Sequence, residues 1–138
     1  MVKSYDDPVK EKAREKLRHF IAEHLVSFRK PENLKVLCFP GAEQEGEEAL
    51  EVKQIYDKLG IPRGNIVGLE IDPARASRLH DAGLGIEVVC QDAYDFFKET
   101  ERKFDVISLD YTGLQGLREV RTLDLIAGKH TLDCRGIF

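Results

Sequence analysis

From Leu34 onward, short apolar runs alternate with helical segments, and this alternation restricts the fold more than any other feature of the chain. Leu34–Phe39 (LKVLCF) reads as a buried strand, followed by Pro40-Gly41 and a Glu-rich helix to Leu59, where Gly60 and Pro62 stop it. Asn65–Ile71 reads as a second strand. Asp72-Pro73 then caps and opens a short helix to Ala82, ended by Gly83. Ile86–Cys90 is a third strand, with a helix from about Ala93 to Glu99, and Phe104–Leu109 (FDVISL) is a fourth. A helix from about Leu117 to Ala127 precedes Gly128, and Gly136-Ile137-Phe138 reads as the opening of a fifth strand. Strands and helices alternating at this pitch form right-handed βαβ units, which build a mostly parallel sheet covered on both faces. The fold class is therefore α/β.

Ahead of this pattern stands an amphipathic helix with Asp7 as its N-cap and Pro8 at its first position. Ala13, Leu17, Phe20, Ile21, His24, Leu25 and Phe28 recur at spacings of three and four, which makes one apolar face ending near Phe28, before Pro31. Lys10, Lys12, Arg14, Lys16 and Arg18 alternate with Glu11, Glu15 and Glu23 as on a solvated face. His19 and His24 have no partner cluster and read as packed side chains. The chain thus divides into residues 1–33, a helix and its exit, and residues 34–138, the α/β part.

With 138 residues, 42% of them hydrophobic and 33% charged, the composition suits one globular domain with a substantial core. No apolar run approaches the roughly 20 residues that span a bilayer, and Met1–Asp7 carry no signal-peptide core. The expectation is a cytoplasmic protein with no membrane partner. Cys38, Cys90 and Cys134 are far apart and form no CxxC pair, which excludes a disulfide scaffold and a thiolate zinc cage; no metal site is expected. Charge is uneven. Met1–Lys35 holds nine basic against six acidic residues, and the remainder twelve against nineteen, so the main body is a poor non-specific binder of nucleic acid. Cys38 and Cys90 lie in or at the end of strands, where free cysteine is usually a small buried hydrophobe.

Ligands of open α/β sheets bind beyond the carboxyl ends of the strands, where strand order reverses. Four such ends here carry polar or flexible residues: Pro40-Gly41-Ala42-Glu43, Glu70-Ile71-Asp72, Gln91-Asp92-Ala93 and Asp110-Tyr111-Thr112-Gly113. Singly, Asp72 and Asp92 are explained as helix N-caps; acids at every correct edge are harder to explain by capping. An acid at the end of strand two suits a bidentate grip on a ribose diol. The helix after the first loop opens with Glu43, Glu45, Glu47 and Glu48. Acids favour the helix dipole there, yet four together oppose a bound pyrophosphate by Coulomb repulsion. A dinucleotide-binding oxidoreductase is disfavoured accordingly. S-adenosylmethionine, with a sulfonium, an ammonium and no phosphate, is compatible with an acidic lip.

Over about Leu34 to Phe138 the chain resembles the class I, Rossmann-like S-adenosylmethionine-dependent methyltransferases. VLCFPGAEQEG (Val36–Gly46) stands in the place of that family's glycine-rich first motif, and VGLEID (Val67–Asp72) resembles the second. VCQDAYDF (Val89–Phe96) resembles the third motif and FDVISLDYTG (Phe104–Gly113) the fourth. The resemblance implies a sheet of order 3-2-1-4-5, with S-adenosylmethionine as cofactor. It places Pro40, Gly41, Ala42 and Glu43 at the cofactor's amino-acid end, and Glu70 with Ile71 at its ribose. Asp92 and Ala93 would address the adenine, and Asp110 and Tyr111 the transferred methyl.

The departures are specific. Cys38 stands where the family places an acid in strand one, and Pro40 and Ala42 replace glycines. Asp-Tyr-Thr-Gly replaces the Asp-Pro-Pro-Tyr that marks amino-group methylation of DNA bases, which leaves a nucleic-acid acceptor open but unsupported. The family fold continues to a sixth and a seventh strand, and 138 residues read as a truncated domain without them. The expected activity is methyl transfer from a small-molecule donor to an unassigned acceptor. The alternative is an inactive methyltransferase-like binding or assembly module, joined to a partner chain or a second copy through the edge of strand five.

Overall fold

The computed structural model describes residues 8–26, 29–40, 49, 51–109, 121–122, 126 and 132–137. Five parallel strands form one sheet in the order β3-β2-β1-β4-β5, as expected: β1 (Val36–Cys38), β2 (Ile66–Leu69), β3 (Glu87–Val89), β4 (Phe104–Ser108) and β5 (Leu132–Ile137). Helix α1 (Pro8–Ile21) opens the chain. A wide π turn at Val52–Tyr56 runs into α2 (Asp57–Leu59), and α3 (Pro73–Asp81) and α4 (Ala93–Glu99) follow β2 and β3. Among the described residues, no helix is long and apolar enough to cross a membrane.

Every residue of β1 and β2 is buried, as continuous apolar runs in a sheet covered on both faces must be. One core gathers Ile21 and Leu25 with Val36, Ile55, Tyr56, Ile66, Leu79 and Val106. The other packs Phe96 and Phe97 of α4 against Leu37, Val67, Leu69, Phe104 and Ile107. The crossovers thus use different faces: the segment after β1 and helix α3 pack into the first core, and α4 packs into the second. Gly60 ends α2 in the left-handed conformation (φ +79°), with its N–H donating to Asp57 O at 3.1 Å.

The strands are shorter than the apolar runs that announce them, because pairing ends where Leu34 and Phe39 leave the sheet. α4 spans the expected residues, and Asp72 caps α3 by accepting Ala74 N–H at 3.2 Å. Of the helix expected over Leu117–Ala127, only Arg121, Thr122 and Ile126 are described, all helical. β5 begins at Leu132, four residues before the expected Gly136. Asp133 and Arg135 interrupt any apolar run there, but pairing with β4 (Phe104↔Leu132, Val106↔Ile137, with a register shift between) is made by backbone.

The face of α1 also differs from its periodicity. Ile21 and Leu25 are buried, but Phe20 is 47% exposed and His24 is exposed, with its ring 4.2 Å from that of Phe20. Ala13 is exposed too, and Arg14, expected on the solvated face, is buried and donates to Gln54 Oε1 at 2.7 Å. Arg14, Leu17, Ile21 and Leu25 also recur at spacings of three and four, so the buried stripe is still helical, but packing on the core turns it toward Arg14 and away from Ala13 and Phe20.

Candidate functional site at the carboxyl edge of the sheet

Because the five strands are parallel, their carboxyl ends share one edge, and strand order reverses between β1 and β4. Directly after β2 comes Glu70, half-buried. Its N–H donates to Val89 O at 3.1 Å, and its Oε1 accepts Asp72 N–H at 3.2 Å, so a tight local turn holds the carboxylate at the strand end. Beside it Ile71 is 66% exposed, an apolar side chain left in solvent at the mouth of the edge. Cys90 Sγ lies 3.8 Å from Ile71 O, which joins the ends of β2 and β3. Cys90 is exposed, contrary to its reading as a buried hydrophobe, because β3 ends one residue before it.

Asp92 is half-buried and caps α4: its Oδ2 accepts Tyr94 N–H at 2.9 Å and Asp95 N–H at 3.4 Å. Ala93 behind it is buried. The capping reading of Asp72 and Asp92 thus holds for both, alongside any further role. The other expected site residues divide between two places. Pro40 is buried at the end of β1, whereas Gly41, Ala42, Glu43, Asp110 and Tyr111 lie outside the described residues.

Pro40 has a counterpart in β2. A Cβ at Gly68 would stand 2.9 Å from Pro40 Cγ and 3.2 Å from Ile86 Cδ1. The absent side chain at Gly68 makes room for a proline ring at the root of the first loop. Gly68→Ala should therefore lose about 1–3 kcal/mol, the usual cost of overpacking, and displace Pro40. Chemical denaturation measures the loss, and an unchanged midpoint would show that the ring yields freely.

Sequence reasoning missed one feature of this edge. Glu51, 8% exposed, sits at the start of the helical turn after the first loop. Its Oε1 accepts from Ser108 Oγ at 3.1 Å and its Oε2 from Tyr56 OH at 3.4 Å. Cys38 and Ser108 are register partners at the last positions of β1 and β4. Burial, then the Glu51 carboxylate, push the Cys38 thiol well above its ordinary range, so it is no nucleophile at neutral pH. Burial and Glu51 likewise push the Tyr56 phenol up. One signal was present in the sequence: Glu51 belongs to the stripe of Val52, Ile55 and Tyr56, where an acid must find buried donors.

No family model matches the chain, and no curated protein matches it in sequence. Solved structures do match in fold. A sugar N-methyltransferase from a Streptoalloteichus species superposes with a TM-score of 0.59 at 18% identity, over 99% of this chain and 53% of that one. The Escherichia coli protein yhhF gives 0.59 at 19% identity, over 96% of this chain and 66% of that one. The plantazolicin methyltransferase BpumL, in complex with SAH, gives 0.56 at 15% identity, over 94% of this chain and 51% of that one. The chain thus spans between about half and two thirds of the length of these proteins. The fold is the Rossmann-like fold of class I methyltransferases.

Proposed function

We propose that this edge binds S-adenosylmethionine and that the chain is a methyltransferase, or the cofactor-binding part of one. The observation that carries the reading is the end of β2, where a half-buried carboxylate held by its own turn stands beside an exposed aliphatic side chain. That pairing suits a nucleoside: Glu70 accepts from the ribose hydroxyls, and Ile71 offers an apolar surface to the base. The fold supports it, since structures sharing this sheet include named methyltransferases, one holding SAH. Residues 34–138 carry the site, and residues 1–33 add a helix to the first core.

The remaining roles follow the resemblance. Pro40, Gly41, Ala42 and Glu43 border the amino-acid end, and Asp92 and Ala93 border the adenine. When bound, the cofactor supplies an electrophilic methyl group on a sulfonium. Transfer is an in-line displacement, so this chain's residues contribute chiefly by aligning the acceptor. Asp110 takes a proton or hydrogen bond from the acceptor, with Tyr111 beside it. The acceptor class, nucleic acid included, is left unassigned. A binding or assembly module without turnover is the second reading, favoured by Cys38 and Pro40 in the first motif and by β5 at the sheet's edge.

Calorimetry with S-adenosylmethionine tests the first reading. Wild type should bind, and Glu70→Ala should bind about ten- to a hundredfold more weakly, the worth of hydrogen bonds to a charged group. Absence of heat from the wild type would end the proposal.

A further inference from the structure

Helix α1 and the wide turn Ala22–Val26 that continues it carry a row of side chains that the roles above do not use. Lys12, Lys16, Phe20 and His24 follow one another at spacings of four, so they lie one above the next on the same side, and all four are exposed. The Phe20 and His24 rings stand 4.2 Å apart, and Phe20 and Ile71 are the large apolar side chains that the described residues leave exposed. The acids that alternate with these lysines in sequence turn elsewhere. Glu11 and Glu15 line a recess with Arg14, Arg18, Gln54 and Lys58, and Glu15 Oε1 stands 3.8 Å from His19 Nε2. Among the described residues, neither Lys12 nor Lys16 is in an ion pair.

We propose that this row is a docking surface for single-stranded nucleic acid: Lys12 and Lys16 meet phosphates, and the Phe20 ring, flanked by His24, stacks on an unpaired base. Cations beside an exposed aromatic ring are the pairing that a single strand calls for, since every nucleotide brings a negative charge and a flat π face. The charge of the whole chain orients such a partner. Met1–Lys35 holds nine basic against six acidic residues and the remainder twelve against nineteen, so a polyanion is drawn to the amino-terminal helix and repelled by the body. A lipid surface fits less well, because Leu17, Ile21 and Leu25 pack on the core and leave no apolar helix face to insert. A protein partner would need a larger apolar centre than one ring between charges provides. The surface uses no residue of the carboxyl edge, so the proposal goes beyond the cofactor reading and does not depend on it.

The test is fluorescence anisotropy of a fluorescein-labelled, mixed-sequence single-stranded oligoribonucleotide titrated with the full chain at several salt concentrations. Wild type should bind, with log Kobs falling linearly as log salt rises. Phe20→Ala should bind about tenfold more weakly, as for one lost base stack, with the salt slope unchanged. The double variant Lys12→Gln/Lys16→Gln should flatten the slope by about 1.4, two phosphates at about 0.7 each for a single strand. All three positions are exposed, so both variants should keep the wild-type circular dichroism spectrum. No binding by the wild type, or binding indifferent to both variants, would overturn the proposal. So would a Phe20→Ala variant as tight as wild type with heparin competing as well as unlabelled strand, since charge alone would then account for the binding. Capture by phosphatidylserine vesicles without oligonucleotide binding would overturn it in favour of a lipid surface. S-adenosylmethionine binding, read separately by calorimetry, should be equal in all three proteins, so this proposal and the cofactor reading fail independently.

Discussion

Phe97→Ala should lower the unfolding free energy by about 3–5 kcal/mol, the range for removing a large aromatic side chain from a packed interior. Phe97 is fully buried in α4 and belongs to the core that includes Leu37, Val67, Leu69 and Phe104. Phe96 meets it edge to face, with ring centroids 5.5 Å apart, and such a pair adds about 0.5–1.5 kcal/mol beyond burial. The lining comes from three strands and a helix, so the cavity cannot close without moving the sheet. In a guanidinium titration the midpoint should fall at constant slope. The consequence reaches the site, because α4 begins directly behind Asp92. Phe20→Ala, at a side chain nearly half exposed, should cost under about 1 kcal/mol. A Phe97 variant as mild as that one would show the second core to be loosely packed.

Arg29→Ala should cost about 3 kcal/mol, the lower end for breaking a buried ion pair, since the arginine side chain is 32% exposed. Its guanidinium pairs with Asp105 Oδ1, and Asp105 is only 4% exposed. The other carboxylate oxygen accepts Lys35 N–H at 2.8 Å, and Asp105 N–H donates to Lys35 O at 2.8 Å. The pair therefore ties the exit of the first helix to the start of β4 beside β1. Removing the arginine leaves a desolvated carboxylate with its main counter-charge gone, and that penalty exceeds the worth of the pair itself. Thermal unfolding should shift down by roughly 10 °C for a chain of this size. A shift within about 2 °C would mean that water reaches Asp105 and replaces the arginine.

How far the residues announced this fold depends on how local each signal is. α4 starts and stops as read, because the Asp92 cap lies next to the helix it opens and Thr100 leaves the helical region just after Glu99. The end of α2 at Gly60 is legible for the same reason. β5 was read four residues late, since Asp133, Arg135 and Gly136 hide a strand whose membership comes from backbone pairing with β4. Arg14 and Phe20 exchanged places because two neighbouring stripes fit a 3.6-residue count, and contact with the core and with Gln54 selects the one through Arg14, Ile21 and Leu25. At the candidate site Glu70, Ile71, Asp92 and Pro40 were legible as strand-end residues. Glu51 was not, because its donor Ser108 lies 57 residues away in another strand.

The sequence by itself determined the layering of this protein: which segments are strands, which are helices, and that both faces of the sheet are covered. Local periodicity suffices for that, because side-chain direction repeats with the backbone and burial follows it. Only the tertiary structure decided which polar groups share the buried space at the sheet edge. Glu51 and Ser108 are 57 residues apart, and Pro40 seats against a glycine of a neighbouring strand. Such meetings depend on the register between β1, β2 and β4, a long-range quantity that no window along the chain contains.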